Sequence, residues 1–197
     1  KTRTPVSRDL EAELSRILMK TGATKFGLFK LSSGKLSPYY IDLRMIPGDP
    51  KGLQTVIEIY EAMVRSKLGI RSFDRIAGVP TAGVPYASIL AYRLAKPFLY
   101  GRREAKTHGA ERRIEGQLLP GERVVLVDDL ITTGKNTLQA AEAIRAEGGQ
   151  VKDVVVLIDR QEGGPAALAK AQLELCAFTT VTRIARRLHK SGVIEDE

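Results

Sequence analysis

One stretch of the sequence joins a short apolar segment to two acids and a turn rich in hydroxyl groups. Residues 124–127 are Val, Val, Leu and Val, and Asp128 and Asp129 follow them directly. Leu-Ile-Thr-Thr-Gly comes next, and helical spacing of apolar residues begins at Asn136. Hydroxyl groups and the free N–H groups at a helix start can hold a phosphate, while carboxylates can bind hydroxyls or a cation. Residues 124–137 therefore predict a site for a phosphorylated sugar such as ribose 5-phosphate.

Two other interpretations of this stretch fit its residues less well. A triphosphate-binding loop needs glycine five positions before Gly134 and a hydroxyl residue after Lys135, where this chain has Asp129 and Asn136. An ordinary strand-to-helix turn would use one aspartate as the helix cap, which leaves the second without a role. A monophosphate is therefore the expected occupant of the turn.

The segments around this stretch indicate the fold that must position it. We predict strands at residues 75–79, 97–100, 123–127, 151–158 and 173–181, and helices at 84–94, 136–147 and 165–171. Apolar strands that alternate with helices are typical of an α/β protein with a central, mostly parallel sheet flanked by helices. Ligands of such sheets bind beyond the carboxyl ends of the strands, which is where we expect Asp128 and Asp129.

The first 70 residues have a different pattern. A helix is predicted at residues 9–21, two strands at 26–31 and 38–42, and a long helix at 51–68. We interpret residues 1–70 as a small N-terminal cap or hood on a core sheet formed by residues 71–197. A length of 197 residues fits one such domain and is too short for two large ones.

Composition narrows the class of protein further. The chain is 43% hydrophobic and 27% charged, as globular proteins are, and no apolar run approaches the roughly 20 residues of a membrane span. Its one cysteine, Cys176, suits a reducing compartment and lies in an apolar segment, so we predict a cytoplasmic protein and a buried, unreactive thiol. The net charge of +8 favours polyanions, either a phosphorylated ligand or nucleic acid.

A second segment with chemical potential is the basic stretch between Gly101 and Gly116. It holds one histidine, His108, and five cationic residues, which are Arg102, Arg103, Lys106, Arg112 and Arg113. The glycines predict a flexible loop, and the charges would let it close over a polyanion such as pyrophosphate. A solvated charged loop without a ligand is the alternative interpretation.

These segments together resemble a known family. Residues 124–134 resemble the phosphoribosyl pyrophosphate (PRPP) motif of type I phosphoribosyltransferases. Three further segments resemble the orotate phosphoribosyltransferases in particular: Arg-Arg-Glu-Ala-Lys-x-His-Gly at 102–109, Leu-Ser-Ser-Gly-Lys-x-Ser-Pro-Tyr-Tyr at 31–40, and Leu-Ile-Asp-Arg-Gln-Glu-Gly-Gly at 157–164. The resemblance covers roughly residues 26 to 190. It implies the type I phosphoribosyltransferase fold.

The resemblance implies a role for each matched residue. The residues implied in catalysis are Lys106, His108, Asp128 and Asp129. The residues implied in PRPP binding are Arg102, Arg103, Lys106, His108, Asp128, Asp129, Leu130, Ile131, Thr132, Thr133, Gly134, Lys135 and Asn136. Those implied in orotate binding are Thr132, Arg160, Tyr40 and Ile41. The role of Arg160 is also sensible chemically, because a guanidinium can grip a carboxylate through two hydrogen bonds.

Two positions depart from the bacterial pattern of the family. Ser32 stands where a ligand-binding lysine is expected, which bears on the orotate pocket, and Lys30 and Lys35 lie nearby in the sequence. Ala82 stands where the loop that faces pyrophosphate commonly carries a second lysine. The archaeal and eukaryotic branch of the family also lacks that second lysine, and the run Tyr-Ile-Asp-Leu-Arg at 40–44 resembles that branch.

The implied reaction converts orotate and PRPP into orotidine 5′-monophosphate and pyrophosphate. The resemblance also implies Mg²⁺ bound mainly through PRPP, and a homodimer in which loop 101–116 reaches the partner's site. Two alternatives stay open. One is a phosphoribosyltransferase for another base. The other is a regulator that senses PRPP and binds nucleic acid, which the high charge and the basic residues at 183–190 would suit, although no helix-turn-helix segment is evident.

Overall fold

The computed structural model describes residues 9–30, 36–101 and 113–190. In these ranges the helices are α1 (Leu10–Lys20), α2 (Pro50–Met63), α3 (Gly83–Arg93), α4 (Lys135–Ala146), α5 (Gly164–Lys170) and α6 (Val181–Lys190). The strands are β1 (Thr24–Lys30), β2 (Leu36–Ile41), β3 (Arg75–Gly78), β4 (Phe98–Gly101), β5 (Ile114–Glu115), β6 (Arg123–Ile131), β7 (Gln150–Asp159) and β8 (Glu174–Thr180). A 3₁₀ turn spans Leu43–Gly48, and a π-helical turn at Val64–Leu68 follows α2. None of the helices in the described ranges has the length and apolarity needed to cross a membrane.

The chain divides into two compact units, residues 1–56 with 183–197, and residues 57–182. In the first unit β1 and β2 form an antiparallel pair. Helix α1 begins after Asp9, whose side chain accepts the N–H of Ala12 at 3.0 Å. Helix α6 is tied to the start of α1 by an ion pair of 2.7 Å between Arg187 and Asp9. The interpretation of the whole chain as one domain, with a cap at 1–70, stays a prediction.

The second unit contains a six-stranded sheet in the order β5-β4-β3-β6-β7-β8. Strands β4, β3, β6, β7 and β8 run parallel, and the short β5 pairs antiparallel with β4. Helix α3 packs on β3, β4 and β6, helix α4 on β6 and β7, and helix α5 on β8. The predicted α/β class, with a mostly parallel sheet flanked by helices, is therefore confirmed.

The direction in which successive strands are added to the sheet changes between the neighbouring strands β3 and β6, and we call this place the reversal point of the sheet. From β3 the chain passes through α3 to β4 on one side, whereas from β6 it passes through α4 to β7 on the other. Because such crossovers are right-handed, α3 and α4 lie on opposite faces of the sheet. In open α/β sheets, the crevice at the carboxyl ends of the two strands where the helices diverge is the usual ligand site, and these strands are β3 and β6 here.

One hydrophobic core of the second unit lies between the sheet and helices α4 and α5. Its fully enclosed side chains include Leu126, Val154 and Val156 from the central strands and Leu168 from α5. These strands are apolar in nearly continuous series because both of their faces are covered. A sheet that is covered on both faces fixes the position of the residues at the ends of its strands, which here include Asp128 and Asp129.

The strands and helices predicted from residue 75 onward are confirmed, with one correction that matters for the site. The strand predicted to end at Val127 continues to Ile131, so Asp128 and Asp129 lie inside β6 and not beyond it. The reason is pairing with β7, which matches Asp128 with Val156 and continues to Ile131. The sequence did not predict β5, which is only two residues long. The helix predicted at 51–68 ends as an α-helix at Met63 and closes in the π-helical turn.

Candidate active site

Asp128 and Asp129 lie at the reversal point of the sheet. Strand β3 accompanies β6 only as far as the pair Gly78–Val127, so Asp128 is the first residue of β6 beyond the end of β3. Both aspartates are buried. Oδ1 of Asp128 accepts the N–H of Asp129 at 2.9 Å, and Oδ1 of Asp129 accepts the N–H of Leu130 at 2.7 Å. The strand's own backbone thus orients both carboxylates.

The electrostatics of this pair favour a ligand. Burial raises the pKa of Asp128 well above its usual value, and the neighbouring charge of Asp129 raises that pKa further. Adjacent buried carboxylates repel each other and lose hydration. A ligand that brings hydroxyl donors or a cation would relieve both effects.

A buried tyrosine supports the same strand from behind. The hydroxyl of Tyr60 donates a hydrogen bond of 2.6 Å to the backbone carbonyl of Asp128. Its ring centroid lies 5.8 Å from that of Tyr86, which is equally enclosed. Burial raises the pKa of Tyr60 well above its usual value, and the charge of Asp129 adds to the effect. The hydroxyl therefore stays protonated and serves as a permanent donor.

Helix α3 begins unusually close to β6. A Cβ atom at Gly83 would lie 2.4 Å from the carbonyl oxygen of Val127 and 2.8 Å from Cα of Asp128. Val79, the residue after β3, donates its N–H to the same carbonyl at 2.9 Å. The peptide bond between Pro80 and Thr81 is cis. The absence of a side chain at Gly83 lets the start of α3 approach β6 closely beside Asp128.

In the turn after the acids, no side chain caps the start of α4, so its first backbone N–H groups can face a phosphate. Gly134 is the N-cap of α4, with a left-handed backbone (φ +83°), and no side chain caps this helix. The interpretation of Asp128 or Asp129 as an ordinary helix cap is therefore wrong. Thr132 is half-buried and Thr133 is exposed. The uncapped N–H groups at the helix start can serve a phosphate together with these hydroxyls.

Arg160 joins this site from the next strand. It follows the end of β7, and its N–H donates to the carbonyl of Ile131 at 3.0 Å, at the start of the turn. Its side chain is 9% exposed, and Nη2 lies 2.8 Å from Oε1 of Glu162. A Cβ at Gly164 would lie 2.6 Å from the carbonyl oxygen of Thr132, so α5 also begins tightly against the turn.

The structure thus brings together part of the predicted site. Residues 128–136 and Arg160 meet at one end of the sheet. Tyr40 and Ile41 end strand β2 in the other unit, with Tyr40 partly exposed and Ile41 buried, and their contact with orotate stays a prediction. Ala82 immediately precedes α3. Seven predicted or discussed residues lie outside the described ranges: Ser32, Lys35, Arg102, Arg103, Lys106, His108 and Arg112.

The sequence did not single out three residues that shape the site. Tyr60 belongs to the apolar stripe of a helix, and nothing in that pattern marks its hydroxyl as a donor to a distant strand. Gly83 and Gly164 are the first residues of α3 and α5. In the sequence each is only a glycine close to the loop that follows a strand, which is a weak signal. Only the distances show that a side chain would not fit there.

The acidic pair could assist a metal ion without forming a metal site by itself. Within residues 9–30, 36–101 and 113–190 there is no group of three His, Cys, Asp or Glu residues placed to hold a metal. Mg²⁺ typically uses one or two carboxylates together with substrate phosphates and waters. Asp128 and Asp129 therefore fit an ion that arrives with a phosphorylated substrate.

The single cysteine, Cys176, lies in β8 and is half-buried. It is distant in the sequence from Asp128 and Asp129. Burial raises the pKa of its thiol. A raised pKa lowers the fraction of the reactive thiolate. The thiol is thus less buried than the sequence predicted, and its lack of reactivity stays a prediction.

The fold and the site together define a class. A parallel sheet with an acidic pair and an open phosphate turn at its reversal point is the arrangement of a phosphoribosyltransferase. A family model described as the phosphoribosyl transferase domain matches residues 47–172.

Comparison with individual proteins narrows the class. The chain is 51% identical to an orotate phosphoribosyltransferase of Pyrobaculum aerophilum over 153 residues, 78% of this chain and 77% of that protein. It is 41% identical to one from Cenarchaeum symbiosum over 91% of this chain and 90% of that protein. The crystal structure of orotate phosphoribosyltransferase from Aeropyrum pernix is similar with a TM-score of 0.77 and 36% identity, covering 91% of this chain and 99% of that one. The chain belongs to the orotate phosphoribosyltransferase family.

Proposed function

We propose that this protein transfers the 5-phosphoribosyl group from PRPP to orotate, giving orotidine 5′-monophosphate and pyrophosphate in pyrimidine biosynthesis. The observation that carries the proposal is the meeting of three features at one end of the sheet. These are the buried acids Asp128 and Asp129, the open turn at 130–136, and the cation Arg160. Membership of the family supports the same conclusion.

The donor would bind along β6 and the turn that follows it. The 5-phosphate would accept hydrogen bonds from the start of α4 and from Thr132 and Thr133. The ribose hydroxyls would donate to Asp128 and Asp129, whose burial and mutual repulsion make such donors favourable. This arrangement would hold the sugar so that its C1 atom faces the acceptor.

The acceptor would be recognised by its carboxylate. Orotate carries a carboxylate that uracil lacks, and a guanidinium binds such a group with directional, charge-assisted hydrogen bonds. Arg160 supplies the guanidinium beside the turn, because its N–H donates to the carbonyl of Ile131, the residue before Thr132. The backbone of Tyr40 and Ile41 would meet the edge of the pyrimidine, as the resemblance implies.

The chemical step would need charge neutralisation more than covalent catalysis. The bond from ribose C1 to the pyrophosphate oxygen breaks, and its electron pair leaves with pyrophosphate. C1 bonds to N1 of orotate, and the proton of N1 passes to water. Lys106 and His108, with Arg102 and Arg103, would neutralise the departing charge and help to exclude water. Mg²⁺, bound mainly to PRPP oxygens, would supply further neutralisation of the same charge.

We also propose a homodimer in which loop 101–116 of each subunit completes the partner's site. This part of the proposal rests on the family resemblance, because residues 102–112 lie outside the described ranges. A cytoplasmic location is proposed as well, supported by the single cysteine of the sequence.

The decisive assay follows the absorbance of orotate after addition of PRPP and Mg²⁺. Uracil, adenine and hypoxanthine serve as competing acceptors in parallel reactions. Turnover of orotate well above that of the other bases would support the proposal. Faster turnover of another base would favour a different phosphoribosyltransferase, and salt-sensitive binding of DNA or RNA without orotate turnover would favour the regulator.

A variant at the acceptor site tests the role of Arg160. Arg160→Gln should raise the KM for orotate about 10- to 100-fold, which is the loss expected for a charge-assisted hydrogen bond. The KM for PRPP should change little. Arg186→Gln, on helix α6, is a suitable control because it removes the same charge far along the chain from residues 128–160.

A further inference from the structure

The guanidinium of Arg160 already has a carboxylate beside it. Nη2 of Arg160 lies 2.8 Å from Oε1 of Glu162, and the exposed fractions of the two side chains are 9% and 32%. The two residues are separated by Gln161, whose backbone is left-handed (φ +60°), and Gly163 follows with φ +96°. The left-handed backbone at Gln161, between the two residues, turns the chain so that the side chain of Glu162 meets Arg160.

This turn is fixed by hydrogen bonds at both ends. The N–H of Gln161 donates to Oδ1 of Asp159 at 2.7 Å, and the hydroxyl of Thr182 donates to Oε1 of Gln161 at 2.5 Å. The N–H of Arg160 donates to the carbonyl of Ile131. A left-handed backbone at a residue other than glycine is strained and persists only when the surroundings enforce it. The backbone that leads from Arg160 to Glu162 is therefore held by the fold.

We propose that the carboxylate of Glu162 pairs with Arg160 in the free protein and is displaced from Arg160 by the carboxylate of the acceptor. Glu162 thereby sets the affinity for the acceptor and its selectivity for a carboxylate-bearing base. The inference rests on the proposed function, in which Arg160 binds orotate.

The physical reason is the cost of a buried charge. A guanidinium with 9% of its surface exposed is unfavourable without an anionic partner. Glu162 supplies that anionic charge while the acceptor is absent, and its own partial exposure lets its carboxylate return to water when an acceptor displaces it. An acceptor with a carboxylate replaces one ion pair by another, whereas a base without a carboxylate would leave Glu162 in place.

This exchange has a measurable consequence for binding. The observed affinity for orotate equals its intrinsic affinity for Arg160 reduced by the strength of the Arg160–Glu162 pair. Removing the charge of Glu162 should therefore strengthen orotate binding. If Glu162 instead held Arg160 in the orientation that orotate needs, its removal would weaken orotate binding, so the sign of the effect separates the two roles.

The test compares Glu162→Gln with Glu174→Gln as a matched control. Glu174 is also paired to a cation, Lys152 at 3.1 Å, but both side chains are largely exposed. Steady-state kinetics with orotate and PRPP should give a KM for orotate that is about two- to fivefold lower in Glu162→Gln, the range that a partly exposed ion pair corresponds to. The KM for PRPP should be unchanged, and Glu174→Gln should match the unmodified protein in both values.

A second variant protects the test against misfolding. Glu162→Asp keeps the charge but shortens the side chain by one methylene, so the carboxylate no longer reaches Arg160 and the KM for orotate should again fall. An unchanged or raised KM for orotate in both variants, beside normal turnover by the unmodified protein, would overturn this inference alone. Failure of the unmodified protein to use orotate would instead overturn the proposed function and this inference with it.

Discussion

The hydroxyl of Tyr60 donates a 2.6 Å hydrogen bond to the backbone carbonyl of Asp128 from a fully enclosed position in the core. Strand β3 ends opposite Val127, so this carbonyl lies just past the last residue of β6 that is paired with β3. Tyr60 supplies a donor at the point where the neighbouring strand stops. A side chain on α2 thus extends the support of β6 to its acidic end.

Removing that hydroxyl should weaken both stability and activity. Tyr60→Phe keeps the ring but leaves a buried carbonyl without this donor, which costs about 1–3 kcal/mol in the free energy of unfolding. Urea denaturation would measure the loss, and kcat for orotate turnover should fall with it because Asp128 is less firmly held. Tyr92→Phe, at a site 86% exposed, is the control and should change neither value. Equal stability of the two variants would contradict a supporting role for Tyr60.

Asp128 should contribute to activity at the expense of stability. Its raised pKa means that, between the usual pKa of aspartate and the raised one, the folded state holds a proton that the unfolded state has released. The stability of the ligand-free protein should therefore fall as the pH rises through that window. Asp128→Asn removes the charge but keeps an oxygen that can accept the N–H of Asp129, so it should be the more stable protein at neutral pH.

Melting temperatures of the unmodified protein and Asp128→Asn, measured from pH 4 to 8, would check this. The two curves should diverge with rising pH, by about 2–4 °C for each kcal/mol of difference. The variant should also lose at least about 100-fold in kcat, in line with the loss of one preorganised polar group. Parallel curves across the pH range would show that burial of this carboxylate does not cost stability.

Gly83 should tolerate no side chain. A Cβ there would approach the carbonyl oxygen of Val127 to 2.4 Å, so either α3 or the end of β6 must move. Gly83→Ala should lower the free energy of unfolding by about 1–3 kcal/mol, the range for overpacking in a core, and should raise the KM for PRPP. Gly48→Ala is the control, since a Cβ atom at Gly48 would have no neighbour within 4 Å and the φ of this residue is not in the left-handed region. Comparable denaturation curves for the two variants would refute the close approach.

Lys106 should matter for turnover and not for folding. We expect Lys106→Ala to lower kcat by about 100- to 1,000-fold, as the loss of one charge-stabilising group does elsewhere, while the melting temperature stays the same. Lys170→Ala, at the exposed end of α5, is the control. Near-normal kcat in Lys106→Ala would remove this lysine from the leaving-group role.

The same variant can test the proposed dimer. Lys106→Ala and Asp129→Asn subunits are each expected to be inactive alone. If the loop serves the partner's site, mixing them yields hybrid dimers with one intact site, and about a quarter of normal activity should return after subunit exchange in a two-fold dimer. If the loop serves its own subunit, every site in the mixture carries one defect and no activity returns.

Much of the fold could be predicted from the sequence because the signals are local. Runs such as residues 154–158 are apolar in series since both faces of a central strand are covered, and the helices between them have helical spacing. The acids and the turn at 128–134 were recognisable for the same reason, as residue types at fixed spacing along one segment. The extension of β6 through Asp128 was not predictable, because it depends on pairing with β7, a contact between segments.

From short-range pattern and residue chemistry, the sequence by itself determined the parallel α/β class and predicted the phosphate turn. The role of Arg160 was predicted from the resemblance of the sequence to the family. Only the tertiary structure decided which groups surround them: Tyr60 beneath Asp128, Gly83 against Val127, and Glu162 folded back onto Arg160. Tyr60 lies 68 positions from Asp128 in the sequence, and no periodicity encodes a contact at that separation. The Arg160–Glu162 pair is close in sequence, yet it depends on a left-handed residue at Gln161 that bonds to neighbouring elements enforce.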